Sequence, residues 1–130
     1  MLVPPVVAPA VATAAPACHG NACDGRSPKA TGCGADARTI PGTVIDPGSN
    51  RHPQAWLRYS KQCDAVWAQG EESDGSTIRV QIDGGASYDA PTVAPGPAFT
   101  AMVGADHRHR VGILDVDGQW SYGKWRKGGV

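Results

Sequence analysis

The chain alternates apolar and polar residues over short stretches, which is the pattern of half-buried β-strands. Residues 55–60, AWLRYS, combine high β propensity with the alternation of Arg58 against its apolar neighbours, and they predict a strand. Further along, Cys63, Ala65 and Trp67 recur at every second position and would share one face of a second strand. The sequence therefore predicts two core strands here.

Two Asp-Gly dipeptides predict tight hairpins, because this dipeptide favours the turn that joins paired strands. The first, at 74–75, precedes residues 77–82, TIRVQI, in which isoleucine and valine alternate with polar residues. The second, at 117–118, lies in the apolar C-terminal region. The residues expected in the core or at the rim of this second hairpin are Val111, Ile113, Trp120 and Tyr122.

The remaining segments carry weaker signals. Residues 35–40, ADARTI, alternate small or apolar with polar residues and predict a half-buried strand that ends before Pro41. Residues 43–45 and 99–103 are also prone to β structure. Residues 83–97 are rich in glycine and proline, so we expect a long loop there.

Composition narrows the fold class. Seventeen glycines and eleven prolines interrupt the 130 residues too often for long helices. A chain of this length has room for one domain with a modest core. The sequence therefore predicts a single all-β domain over residues 18–130, a small disulfide-bonded sandwich or barrel of about six to eight short strands with a cysteine-rich N-terminal loop.

Residues 1–17 form a separate segment that carries no charge and contains four prolines. It is too short and too rich in proline for a transmembrane helix, so no transmembrane segment is expected in this chain. Small residues at 12–14 and 15–17 resemble signal-peptide cleavage sites, and we favour cleavage after Ala14. A proline- and alanine-rich linker is the alternative, because a basic start is missing. Both interpretations indicate a secreted or extracytoplasmic protein.

Four cysteines support the same location, because an even number in a short exported chain is typical of disulfides. They allow three pairings, and the sequence does not choose between them. The pairing that we favour would tie the start of the 35–40 strand to the core strands. Its two bonds are Cys18–Cys23 and Cys33–Cys63.

A metal or cofactor site is not expected. His107 and His109 would share a face of a strand, and His52 or Asp106 could join them, but the spacing matches no zinc motif. A solvated basic patch explains these histidines better. The cysteine spacings also lack paired C-x-x-C motifs, and exported thiols oxidise.

No catalytic residues are expected either. Asp115 and Asp117 could be paired carboxylates, but Asp117 is better explained by the turn that it begins. Ser60 and Lys61 are adjacent and would point to opposite faces of a strand. Familiar hydrolase and phosphate-binding motifs are missing from the sequence.

Aromatic residues provide the strongest indication of a binding face. Trp56 and Trp67 lie among strand-forming residues and are expected in the core. Other aromatic residues crowd the C-terminal tail beside basic ones, and such a cluster would suit a cell-wall glycan or a secreted protein. Packing of the tail aromatics into the core is the alternative. The candidate binding face consists of Trp120, Tyr122, Trp125, Lys124 and Arg126.

Three spaced motifs carry a family resemblance. They are Cys-x-Gly-x-x-Cys-Asp-Gly at 18–25, Gly-Cys-x-x-Asp-Ala-x-Thr at 32–39 and Leu-Arg-Tyr-Ser-x-x-Cys-x-x-x-Trp-Ala at 57–68. With the later Met-Val at 102–103, the pattern resembles the YjfA-like domain of unknown function, which is common in actinobacteria. The resemblance implies a small exported domain, sometimes the outer end of a membrane-anchored regulator, and it implies no known activity.

The sequence departs from that family pattern in two places. Ser27 precedes Pro28 where the family usually has an acidic residue, and the tail after Val103 does not match. A DNA-binding segment is not recognisable either. Equal numbers of acidic and basic residues, 12 of each, give no net field that would attract nucleic acid.

These observations favour a non-catalytic binding or structural module at the cell surface or outside the cell. Two alternatives stay open. One is a small secreted hydrolase, and the other is the extracytoplasmic sensor part of a membrane-anchored regulator.

Overall fold

A computed structural model describes residues 15–46, 54–71, 76–92, 96–115 and 117–130. Within these ranges the chain forms nine strands and two short 3₁₀ helices. The strands are β1 (Arg38–Thr39), β2 (Ala55–Ser60), β3 (Ala65–Gly70), β4 (Ser76–Ile82), β5 (Ser87–Thr92), β6 (Ala98–Phe99), β7 (Val103–Gly104), β8 (His109–Leu114) and β9 (Trp120–Tyr122). The predicted all-β class is confirmed.

The strands form two antiparallel sheets. In the first sheet β1, β2 and β3 lie side by side, and the far edge of β3 pairs with β6 at one end and β7 at the other. In the second sheet the order is β5, β4, β8 and β9. The predicted strand at 55–60 and the predicted C-terminal hairpin are both confirmed, as β2 and as the β8–β9 pair.

The two sheets face each other across one apolar core. Because side chains alternate between the two faces of a strand, every second residue of the long strands points into this core. Leu57 and Val66 enter it from the first sheet, and Ile78, Val80 and Ile113 enter it from the second. Each is fully buried, which stabilises the fold by about 1.5–3 kcal/mol per side chain. The architecture is therefore a sandwich.

The cysteine-rich segment covers the outer face of the first sheet at β3. Its cysteines form a second buried cluster with Ala65 and Trp67, which point away from the main core. The backbone of Gly25 and Arg26 also exchanges hydrogen bonds of 2.8 Å with Met102. β3 is consequently buried on both faces, which explains its nearly continuous run of buried residues.

Two disulfides fasten this segment. The Sγ atoms of Cys18 and Cys23 lie 2.09 Å apart, and those of Cys33 and Cys63 lie 2.11 Å apart. These are the same two pairs that we favoured from the sequence. The second bond links the helix at Cys33–Asp36 to the turn between β2 and β3.

The hairpin predicted around residues 74–75 is wrong in its pairing. β3 belongs to the first sheet and β4 to the second, so the chain crosses between sheets at this point. The dipeptide at 74–75, where the turn is predicted, lies outside the described residues. Gly70 at the end of β3 packs against Ile78, since a Cβ on Gly70 would lie 2.8 Å from the Ile78 Cγ2 atom. The two strands pack face to face because both have apolar faces to bury.

The long loop predicted at 83–97 is also wrong, because the segment contains β5. Ile82 and Ala86 close a tight turn between β4 and β5 with a 2.9 Å hydrogen bond. Pro91 lies inside β5, where it is tolerated because β5 is an edge strand. The glycine and proline content of the segment concealed this strand.

Three shorter predictions need correction. The strand expected at 35–40 is reduced to β1, whose two residues are both exposed, because Cys33–Asp36 is a 3₁₀ helix. The region 43–45 contributes only an isolated bridge between Ile45 and Ala55. The strand expected at 99–103 is divided between β6 and β7.

The tryptophans expected in the core differ in position. Trp67 is buried with only 3% of its surface exposed, whereas Trp56 is half-buried on the outer side of the first sheet.

Among the described residues, none belongs to a helix with the length and hydropathy needed to cross a bilayer. Most of the leader or linker predicted at 1–17 lies outside the described ranges, which begin at residue 15.

Candidate functional site

The C-terminal aromatic residues lie on the outer face of the second sheet. Trp120 and Tyr122 are two residues apart in β9 and therefore point to the same side of the sheet. They pair with Leu114 and Gly112 of β8, and their rings stack with centroids 5.8 Å apart. Both side chains are half-buried, and neither belongs to the apolar core.

Gly112 allows the Tyr122 ring to approach the sheet closely. A Cβ at this position would lie 2.7 Å from the Tyr122 Cε1 atom, which is closer than real contacts permit. Because glycine has no side chain, the ring packs against the β8 backbone instead. Glycine at position 112 therefore allows the aromatic pair to lie directly against the sheet.

Arg79 of β4 binds this aromatic pair from the neighbouring strand. Its guanidinium carbon lies 3.7 Å from the Trp120 ring centroid, and its Nη1 donates a 3.0 Å hydrogen bond to the Tyr122 hydroxyl. Two further hydrogen bonds, of 2.7 and 3.0 Å, go to the Asp89 carboxylate. The bonds to Asp89 raise the pKa of Arg79, against the opposing effect of burial. Arg79 is thus a charge-paired and fixed component of the face.

Arg110 of β8 lies between two aromatic rings. Its guanidinium carbon is 3.7 Å from the Tyr122 centroid and 4.3 Å from the Trp125 centroid. The Nε atom donates a 2.7 Å hydrogen bond to the neutral side chain of Gln81. Within the described part of the chain, no carboxylate forms an ion pair with Arg110. Its positive charge is available to a ligand.

We call the five residues Arg79, Arg110, Trp120, Tyr122 and Trp125 the aromatic–arginine face. At its margin, Arg108 lies 5.6 Å from the Trp125 centroid and pairs with Asp83 at 3.1 Å. Alternating rings and guanidinium groups at these distances form cation–π contacts, which hold the side chains in place. The face is therefore preorganised, and all five of its residues are half-buried.

The sequence analysis identified the aromatic members of this face but only part of its basic set. Lys124 is exposed next to Trp125. Arg126 is directed elsewhere, since its Nη2 donates a 2.9 Å hydrogen bond to the carbonyl of Gly42. Sequence reasoning missed Arg79 and Arg110, although their alternation with core residues in β4 and β8 already placed them on the outer face.

The two histidines of the HRHR segment do not form the expected solvated patch. His109 is fully buried, and its Nδ1 donates a 2.7 Å hydrogen bond to the carbonyl of His107. Burial lowers the pKa of His109, so the side chain is held neutral. His107 lies 2.8 Å from Asp24 and helps to anchor the cysteine-rich segment.

The other residues considered as catalytic or metal-binding candidates make structural contacts. Ser60 Oγ donates a 2.6 Å hydrogen bond to Asp36 and accepts one from the Cys63 backbone. The backbone carbonyl of Asp115 accepts a 2.9 Å hydrogen bond from the backbone N–H of Gly118 in the turn after β8. The clustered sulfur atoms belong to disulfides, so they carry no thiolate that could ligate a metal.

Comparison with known proteins gives one match. A family model described as a protein of unknown function (DUF2690) matches residues 21–111. This segment contains three of the four cysteines and strands β1 to β7, and it ends within β8 before the aromatic residues of the face. No curated protein and no solved structure matches the chain.

Proposed function

Since the chain belongs to the DUF2690 family of proteins of unknown function, we propose its role from its geometry: a non-catalytic binding module that works outside the cytoplasm. The aromatic–arginine face is the observation that supports this proposal. Tryptophan, tyrosine and arginine are the residues that most often dominate binding energy at protein interfaces. Here two tryptophans, one tyrosine and two arginines lie together on the outer face of the second sheet.

We propose that the partner is a secreted or surface protein that presents an acidic segment. Arg79 and Arg108 are balanced by Asp89 and Asp83. Arg110, in contrast, has no carboxylate partner among the described residues, so the face attracts anions. A glycan is less suitable, because a sugar would stack on a free ring face, and guanidinium groups already lie 3.7 Å from the Trp120 and Tyr122 centroids.

The extracytoplasmic location is supported by two features. The uncharged residues at 1–17 resemble a secretion signal. Two disulfides are compatible with an oxidising compartment outside the cytoplasm. Both features suit a protein that meets its partner at the cell surface or beyond it.

A binding experiment on the immobilised domain tests this proposal. Secreted proteins and isolated cell wall are applied to it, and the retained material is measured. The informative variants are Arg110→Gln and Trp125→Ala. The matched control is Arg38→Gln, which removes an exposed arginine that lies 5.4 Å from the Tyr59 ring on the opposite sheet. We expect one or more secreted proteins to bind the wild type and the control and to bind each face variant about tenfold more weakly. Binding should also weaken as salt increases.

Melting of the same variants separates a binding role from a packing role. Trp125 is half-buried, so Trp125→Ala should cost less than the roughly 3–5 kcal/mol of a core tryptophan. Equal retention by all variants would contradict the proposal. Salt-independent retention of cell wall would replace the protein partner with a glycan. Turnover of a glycan, ester or peptide that an Asp or His substitution abolishes would instead support a hydrolase.

A further inference from the structure

A cleft of about 400 Å³ lies on the opposite side of the molecule from the aromatic–arginine face. One wall is the outer face of the first sheet, at Arg58, Trp67 and Gln69, and the other wall is the segment from Pro28 to Ala37. Its volume falls within the range of small-molecule sites, roughly 300–1,000 Å³. The Cys33–Cys63 disulfide fastens the second wall to the sheet, so the cleft is formed by covalently linked elements.

Among the large apolar side chains that line the cleft, Phe99 is the most exposed. This side chain is 40% exposed, whereas Trp67 at the base is 3% exposed and contributes a buried floor. Phe99 lies in the short strand β6, where its backbone pairs with Gln69. Glycine and alanine residues make up much of the opposite wall, so little side-chain volume fills the space.

The charged groups of the cleft are both positive. Lys29 and Arg58 line it, and none of the described lining residues is acidic. Arg58 is fixed, because Nη1 donates to the Thr39 hydroxyl at 2.9 Å and Nη2 donates to the Ala37 carbonyl at 3.1 Å. Its Nε atom is buried, and it has no acceptor among the residues that the structure describes. Because Nε is buried, a ligand in the cleft would meet the Nη groups of Arg58 rather than Nε.

We propose that the cleft is a second binding site, for a small carboxylate ligand with a flat apolar body. The carboxylate accepts from the second hydrogens of the Arg58 Nη atoms, which the bonds to Thr39 and Ala37 do not use, and it lies near the Lys29 ammonium group, so the contacts are charge-assisted. The apolar body packs between Phe99 and the alanine-rich wall. This site is separate from the aromatic–arginine face, so a result that disproves one proposal leaves the other unaffected.

The cleft can be tested with 2-naphthoate as the probe and 2-naphthalenemethanol as its neutral counterpart. Amide and indole NMR signals report the location of binding, because the cleft contains the Trp67 indole and the backbone amides of Gly32 and Gly34. We expect 2-naphthoate to shift these signals in a saturable way. The neutral alcohol should bind more weakly, because it lacks the charge that Arg58 and Lys29 attract.

Variants identify the contributing groups. Lys29→Gln should weaken 2-naphthoate binding about three- to fivefold, because an exposed ammonium group contributes modestly. Phe99→Ser should weaken the carboxylate and the alcohol alike, because it removes apolar contact only. The matched control Lys124→Gln removes an exposed lysine that follows β9, away from the cleft, and should change nothing. None of these side chains belongs to a buried cluster, so folding should persist in all three variants.

Three results would overturn the second site. They are unshifted cleft signals at millimolar probe, equal affinity for the acid and the alcohol, and full binding by Lys29→Gln. Shifts confined to Trp120, Tyr122 and Trp125 would also overturn it, while leaving the proposal for the aromatic–arginine face intact. Conversely, Arg110→Gln should leave 2-naphthoate binding unchanged. The experiments can therefore disprove the proposal for one site without affecting the proposal for the other.

Discussion

At the scale of single residues, Asp36 connects the cysteine-rich segment to the turn between β2 and β3. Its carboxylate accepts a 2.6 Å hydrogen bond from the Ser60 hydroxyl and a 2.9 Å hydrogen bond from the Gln62 backbone. Burial raises the pKa of Asp36, but the hydrogen bonds outweigh this effect, and the pKa falls below its usual value of 3.8. The ionised form is therefore the one that stabilises the fold.

Replacement of this residue gives a first prediction. Asp36→Ala should lower the free energy of unfolding at pH 7 by about 0.5–1.5 kcal/mol, because the buried Ser60 hydroxyl loses its acceptor, whereas the exposed Gln62 N–H can bind water instead. The difference from wild type should shrink as the pH falls from 3.8 through the lower folded pKa, because the unfolded carboxylate takes up a proton first and the folded one follows. Urea unfolding at pH 7 and pH 3 measures both effects, and a cost that is independent of pH would contradict this account.

His109 gives a second prediction because it is an ionisable side chain within the sandwich. Its folded pKa lies below the usual 6.5, so above pH 6.5 both the folded and unfolded states are neutral. As the pH falls from 6.5 toward the folded pKa, only the unfolded state takes up the proton, and stability is lost. His109→Gln should therefore flatten the decrease in unfolding free energy between pH 7.5 and pH 5.

The control for this experiment is His19→Gln, which removes an exposed histidine of the cysteine-rich segment. The control should keep the wild-type pH dependence. An unchanged slope in His109→Gln, with folding verified at pH 7.5, would show that another group causes the loss of stability in mild acid.

At the scale of elements, the disulfides differ in the length of chain that they close. Cys33–Cys63 closes a separation of 30 residues, and Cys18–Cys23 closes one of five. The chain-entropy account gives about 3–4 kcal/mol for the longer loop and about 2 kcal/mol for the shorter one. The longer bond also holds one wall of the cleft, so its loss should affect both stability and the proposed second site.

Paired replacement by alanine tests this order of stability in denaturant unfolding. The variant without Cys33–Cys63 should unfold at lower urea concentration than the variant without Cys18–Cys23. Both members of each pair must be removed together, because the Sγ atoms of Cys18 and Cys33 are 3.8 Å apart. A single free thiolate there would attack the neighbouring disulfide. The reverse order of midpoints would rule out loop length as the main cause.

The positions of the strands were easier to predict from the sequence than the pairing between them. Period-two alternation located β2, β4 and β8, because the pattern depends only on which face each strand buries. It does not specify which strand lies alongside, so the dipeptide at 74–75 predicts a hairpin turn although β3 and β4 are in different sheets. β5 was missed because an edge strand tolerates Pro91, which local rules treat as a strand breaker.

The candidate site was predictable to a similar extent. Proximity in sequence grouped Trp120, Tyr122 and Trp125, but Arg79 joins them only through the pairing of β4 with β8 and of β8 with β9. The cleft could not be predicted at all. It depends on how residues 28–37 fold back over the first sheet, and that path follows from disulfide pairing and tertiary contacts rather than from a periodic pattern.

At the scale of the whole molecule, the two proposed sites lie on the outer faces of two sheets that share one core. Leu57 and Val66 of the first sheet pack in the same buried cluster as Val80 and Val111 of the second. Neither sheet can bury its apolar face without the other. The sandwich should therefore unfold as one cooperative unit, and neither outer face should be separable as an independent domain.

Native-state hydrogen exchange tests this cooperativity, because core amides exchange through global unfolding whereas local openings need less free energy. The amides of Val66 in β3 and Val111 in β8 should show the same exchange free energy, and it should equal the value from urea unfolding. Asp36→Ala should lower both by the same amount, although the hydrogen bonds of Asp36 go to β2 and to the turn that follows it. If Val111 kept its protection while Val66 lost it, the sheets would be separate cooperative units. The shared core would then not couple them.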